Sequence, residues 1–116
     1  MTKLETYKKL LENLDSWSGK LIKASYCNFN GERCIWGTLL TDDQIQVIRR
    51  EGLMGAYFSK VCKRLLIDSE SVYGLTQQEI TRIIIDFDDS FRYNIDFRKI
   101  LEGLISEEEE RLNAQV

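Results

Sequence analysis

Lys20-Leu21-Ile22-Lys23-Ala24-Ser25-Tyr26-Cys27-Asn28-Phe29-Asn30-Gly31-Glu32-Arg33-Cys34-Ile35-Trp36-Gly37-Thr38-Leu39-Leu40 is the stretch on which the fold class turns. Asn30-Gly31 stands at its centre. A type I′ turn needs positive φ at both central residues, and Asn-Gly supplies that at low steric cost. Counting outward from a two-residue turn pairs Phe29 with Glu32, Cys27 with Cys34, Tyr26 with Ile35, Ser25 with Trp36 and Ile22 with Leu39. Alternation along the strands then gathers Ile22, Ala24, Tyr26, Ile35, Gly37 and Leu39 on a core face. The other face carries Lys23, Ser25, Cys27, Phe29, Glu32, Cys34, Trp36 and Thr38. The expectation is an antiparallel β-hairpin over about 20–40, with Phe29 and Trp36 as candidate binding aromatics on its second face.

Helical periodicity surrounds this stretch. Leu4, Tyr7, Leu10, Leu11 and Leu14 predict a first helix over 3–14. Thr41 followed by Asp42 and Asp43 reads as an N-cap with acids in the first turn of a helix that Gly52 ends. Tyr57, Phe58, Val61, Cys62, Leu65 and Leu66 form an apolar stripe over about 56–66. Residues 67–75 read as a loop with an extended piece at Ser71-Val72-Tyr73. Thr76-Gln77-Gln78-Glu79 is a capping box opening a helix that buries Ile80, Ile83, Ile84 and Phe87. A last helix from about 94 buries Phe97, Ile100, Leu101, Leu104 and Ile105 and ends in a solvated acidic extension over about 106–116. The predicted fold class is therefore α+β: one domain over 1–116, with an N-terminal helix, one hairpin and four helices packed on it.

Composition narrows the chemistry. With 116 residues, 43% hydrophobic and 30% charged, one globular core can form without metal or disulfide support. No apolar run reaches the roughly 18 residues of a membrane span. The N-terminal residues carry an acid and lead into no apolar stretch, so a secretory signal is not expected and the expected compartment is the cytoplasm. The sequence holds no histidine, which removes Ser-His-Asp and Cys-His catalysis and histidine zinc sites. Net charge is −3 and uneven: residues 1–60 carry nine Lys/Arg against seven Asp/Glu, residues 61–116 seven against twelve. The acidic second half can steer association with a basic partner, and it opposes non-specific binding to nucleic acid.

Four groups of residues are candidates for function. Cys27 and Cys34 come out as cross-strand neighbours, so a disulfide is conceivable, although a hydrogen-bonded pair suits one poorly and two reduced thiols are the plainer reading. Asp86, Asp88 and Asp89 could offer carboxylates to a divalent cation, but they lack the glycine and final glutamate of a calcium loop, and a solvated helix end is the plainer reading. No metal or cofactor is expected. Arg49, Arg50, Lys60, Lys63 and Arg64 lie on consecutive helices and admit a helix-turn-helix, though Asp42, Asp43 and Glu51 offset much of that charge. Phe29 and Trp36 would form an exposed patch unless a helix covers them.

Trp17-Ser18-Gly19, Gly31-Glu32-Arg33-Cys34-Ile35-Trp36-Gly37 and Phe87-Asp88-Asp89 fall in an order that resembles a family of small bacterial and phage domains. That family carries a Trp shortly before Gly, a Gly-x-x-Cys-x-x-Gly segment and a late Trp-Asn-Asp. The resemblance spans most of the chain; Phe87 and Asp88 stand where the family has Trp and Asn. It implies a shared fold and no particular activity.

The function these features point to is a non-enzymatic protein-binding module. A small acidic inhibitor is the expected form, such as a phage antagonist of a bacterial defence system of the anti-CRISPR kind. Its partner would be a basic or nucleic-acid-handling protein, and its site an array of Asp86, Asp88, Asp89, Glu107, Glu108, Glu109 and Glu110 competing for a surface built for phosphates. The alternatives are a toxin-immunity protein, a small DNA-binding regulator using residues 42–66, and a carboxylate enzyme using Mg²⁺.

Overall fold

Three threonines start three helices in the same way. Thr2, Thr41 and Thr76 each accept a hydrogen bond from the backbone N–H three residues on, while Glu5, Gln44 and Glu79 reach back to the threonine N–H. In the computed structural model, which describes residues 1–115, these caps open α1 (Lys3–Ser16), α2 (Asp42–Arg50) and α5 (Gln77–Asp89). The other helices are α3 (Phe58–Leu65), α4 (Ser69–Tyr73) and α6 (Asp96–Asn113), with one turn of 3₁₀ helix at Trp36–Leu39.

α1 and α6 pack antiparallel. Arg98 binds Asp15 at one end, and Lys8 approaches Glu109 at 3.8 Å near the other. The remaining elements gather around Trp36, which meets Phe58 edge-on at 5.6 Å and Tyr73 at 5.0 Å. A second aromatic contact, Phe87 with Phe97 at 5.3 Å, ties α5 to α6. Two buried polar bonds fix α1 against the middle of the chain: Thr6 Oγ1 donates to the Tyr73 carbonyl at 2.6 Å, and Asn13 Nδ2 to Thr38 Oγ1 at 2.9 Å.

The predicted hairpin is absent, so the fold is all-helical and not α+β. Among the described residues only two isolated bridges occur, Leu21 with Arg33 (parallel) and Cys27 with Arg33 (antiparallel). Local chemistry explains the miss. Gly31 has φ +84°, but Asn30 has no positive φ, so the turn is not type I′. Instead the Asn28 side-chain oxygen accepts from the N–H groups of Asn30 and Glu32, each at 3.0 Å, and closes a wider loop. This shifts the pairing by one residue. Cys27 faces Arg33, and the Cys34 N–H reaches the Tyr26 carbonyl at 3.1 Å.

Each flank then leaves the strand path. Ala24 adopts φ +67° and breaks the first flank. The second winds into 3₁₀ helix at Trp36. Tyr26 donates its N–H to the Met54 carbonyl at 2.9 Å and so pairs outside the stretch altogether. Of the predicted core face, Tyr26, Ile35 and Gly37 are buried, whereas Ala24 is exposed. The extended piece expected at Ser71–Tyr73 is the body of α4.

Arg33 rivets the irregular region. Its guanidinium donates to the Leu40 carbonyl at 2.9 Å and Gly37 carbonyl at 3.3 Å, meets Asp42 at 2.5 Å, and lies 5.6 Å from the Trp17 ring. One side chain thus closes the 3₁₀ turn and joins it to the N-terminus of α2.

The apolar stripe read over 56–66 loses both ends. Tyr57 precedes α3 and is 85% exposed; Leu66 follows it and is 91% exposed. Leu66 also holds φ +55°, the left-handed region where glycine is the usual occupant. Its side chain is almost wholly exposed, so removing it costs little burial. Leu66→Gly is therefore expected to stabilise the fold by about 1 kcal/mol and raise Tm by about 4 °C, read by thermal or urea unfolding.

Candidate functional site

The structure separates the residues that the acidic-array reading joined. Asp86 pairs with Arg82 at 3.2 Å. Asp88 accepts the Ala24 N–H at 3.0 Å and so clamps the left-handed corner of residue 24 to the end of α5. Asp89 is exposed. On α6, Glu108 is only 5% exposed and binds Arg111, Nε to carboxylate at 2.5 Å. Glu109 leans toward Lys8, while Glu107 and Glu110 face solvent. A helix turns about 100° per residue, so four consecutive glutamates spread around it and cannot form one array. Val116, the last residue of the predicted extension, lies outside the described residues.

Phe29 and Trp36 do not share a face. Phe29 is 78% exposed at the tip of the Asn28–Glu32 loop, and Trp36 is fully buried at the centre of the core. The one-residue shift and the 3₁₀ turn put Trp36 inside. The basic residues of 42–66 are divided as well. Arg64 donates to Glu51 at 2.5 Å, and Arg49 turns inward to the Cys27 thiol. Residues 51–57 separate α2 from α3, longer than the three or four residues of a helix-turn-helix. Among the described residues, no three Cys, Asp or Glu side chains converge to hold a metal ion.

All three cysteines are unpaired and buried. In the observed pairing Cys27 lies opposite Arg33 and not opposite Cys34. Burial pushes Cys34 up to about 12 and Cys62 up to about 11, and it raises Cys27 too. Unfolded thiols ionise near 9, well below these values. The stability they contribute is intact below that pH and falls as pH climbs from it toward the folded values. Native protein at pH 8 is expected to resist iodoacetamide at all three sites, with complete alkylation only in denaturant, as mass spectrometry would show.

What the structure builds is a groove. Residues Thr81, Ile84, Ile85 and Asp88 stand at i, i+3, i+4 and i+7 along one stripe of α5. They face Ala24–Tyr26 and Met54–Phe58, and Cys34 lies at the floor. The cavity measures about 170 Å³. A second hollow, lined by Ser59, Gln77, Gln78 and Arg82, shares Thr81 and Ile85 with it. A second stripe of α5, Ile80, Ile83 and Phe87, about a third of a turn away, is already buried in the core. α5 is therefore apolar on two sides, one of them uncovered.

The Tyr26–Met54 backbone bond creates the far wall, and the Tyr26 hydroxyl reinforces it by donating to the Ala56 carbonyl at 2.9 Å. Tyr57 and the partly exposed Ile85 stand at the rim. Asp88 is the one charged side chain in the lining. Sequence reasoning placed Tyr57 and Ile84 in the core and passed over Ile85. The available signal was the run Ile83-Ile84-Ile85, which spans about 200° of helix and cannot face one core.

No protein-family model matches the chain, no curated protein matches it in sequence, and no solved structure matches it in fold. The family resemblance stands on its three short stretches alone. The class that fold and site define is a helical protein, with six α-helices among the described residues, that carries an open apolar groove, and none of those helices is long and apolar enough to cross a membrane.

Proposed function

We propose that the chain is a non-enzymatic protein-binding module whose contact surface is the groove between α5 and residues 54–58. The observation that carries this reading is the second apolar stripe of α5. Ile84 and Ile85 line a cavity beside the exposed Tyr57 ring, although the core has closed behind them. Uncovered aromatic and aliphatic anchors rimmed by polar residues are typical of protein contacts. The partner chemistry follows from the lining: an apolar group for the cavity and a cation for Asp88. A basic protein partner fits that chemistry. The unpaired thiols suit a reducing compartment, and the reading places the protein in the cytoplasm. Nothing in the lining is specific to a phage antagonist of a defence system.

A photo-crosslinking residue in place of Tyr57 tests the reading in cells of the source organism. One adduct to a protein other than the chain itself is expected, and Ile85→Lys should weaken its formation about thirtyfold, the effect of losing a contact of about 2 kcal/mol. Ile85 is partly exposed, so that variant should keep the wild-type Tm. The absence of an adduct, or an adduct indifferent to Ile85→Lys, would overturn the reading.

A further inference from the structure

The chemistry that the groove calls for exists on the chain itself. Phe91 is exposed over nearly its whole surface, and Arg92 beside it is exposed and forms no ion pair among the described residues. The two lie just beyond α5, three and four residues after Asp88. We propose that the groove is occupied by Phe91-Arg92 of a second copy in a two-fold dimer: each Phe91 ring enters the partner copy's cavity, and each Arg92 faces its Asp88-Asp89 edge. This rests on the reading of the groove as a protein-binding surface.

Three observations fit together. First, size: a dry apolar cavity of roughly 150 Å³ is known to hold one benzene. A groove of about 170 Å³ therefore suits one phenyl ring. Second, charge: Asp88 is the one charged side chain in the lining, and Asp89 next to it is exposed. No lysine or arginine lines the cavity; Lys23, at the same end of α5, lies outside the lining with its ammonium bonded to the Ser90 carbonyl. Third, placement. A two-fold contact requires that donor and acceptor patches sit together on one surface, so that each copy gives and receives at once. Phe91-Arg92 and the acidic edge of the groove both lie at the C-terminal end of α5. The rest of the rim, Tyr57 and Ile85, would be covered in the same contact. Self-association of this kind keeps the groove closed until a partner with the same apolar-plus-cationic chemistry displaces the second copy.

Sedimentation equilibrium on the full chain between 10 and 500 µM tests this. The wild type should show a reversible monomer–dimer equilibrium that tightens at low salt. Phe91→Ser, which keeps the groove and removes the anchor, should weaken dimerisation at least tenfold. Ile85→Lys, which keeps the anchor and blocks the groove, should do the same. An equimolar mixture of the two variants retains one intact contact and should associate more tightly than either alone. A wild type that stays monomeric to 500 µM, a dimer that ignores Phe91→Ser, or a mixture no tighter than its components overturns the dimer. None of these outcomes touches the binding reading: without the dimer the heterologous crosslink at residue 57 should be unchanged by Phe91→Ser, and with it that crosslink should grow stronger.

Discussion

Gly37→Ala should cost more than about 3 kcal/mol, and at 37 °C much of the protein should be unfolded. A Cβ at this position would lie 2.1 Å from the Tyr26 carbonyl oxygen and 3.1 Å from its carbon, with the Arg33 Cβ at 3.2 Å. All three neighbours are held. The Tyr26 oxygen accepts the Cys34 N–H, and the Arg33 guanidinium is pinned to the Gly37 and Leu40 carbonyls and to Asp42. No flexible side-chain end can give way, so either the 3₁₀ turn unwinds or the Tyr26 backbone moves off it. Moving that segment also breaks its bond to Met54 and collapses the groove wall. Gly103→Ala is the control. Gly103 lies inside α6 with nothing within 4 Å of an added Cβ. There the same methyl group should stabilise by about 0.5–1 kcal/mol through helix propensity alone. Urea unfolding of both variants measures the contrast.

Trp36→Ala should be nearly as damaging, at about 3–5 kcal/mol. The side chain is fully buried between Phe58 and Tyr73, so truncation opens a cavity where two aromatic contacts end. Trp36→Phe should cost distinctly less. It keeps most of the ring and removes the indole Nε1, which is buried without a hydrogen-bond partner. Loss of an unsatisfied donor offsets part of the lost volume. Equal effects of the two variants in urea unfolding would show that Trp36 is not the centre of packing.

These two positions also show how far the sequence could be read. Helix starts were legible at Thr41 and Thr76, because a cap is a local bond between residues three apart. Helix periodicity placed Leu10, Ile80, Phe87, Phe97 and Leu101 in the core, where they lie. The stretch 20–40 was misread because its outcome is set by contacts far along the chain. Asn30-Gly31 favours a tight turn, but the Asn28 side chain captures the N–H groups of Asn30 and Glu32, the second of which would have closed that turn onto Phe29. Met54 then takes the Tyr26 N–H, and Asp88 takes that of Ala24. No pattern within the stretch announces either partner. The same error turned Trp36 outward on paper and hid the groove, which exists only once residues 54–58 lie against residues 24–26. Of the expected site residues, Asp88 alone lines the groove; its neighbour Asp89 is exposed at the end of α5.

The fold and the groove therefore rest on one pairing, and backbone NMR on the labelled chain tests it directly. The expected result is a set of NOEs from the Tyr26 amide to Met54 and Gly55, slow exchange of that amide, and Cys27 opposite Arg33. NOEs placing Cys27 opposite Cys34 and Ser25 opposite Trp36, with no contact from Tyr26 to Met54, would restore the hairpin and remove the groove.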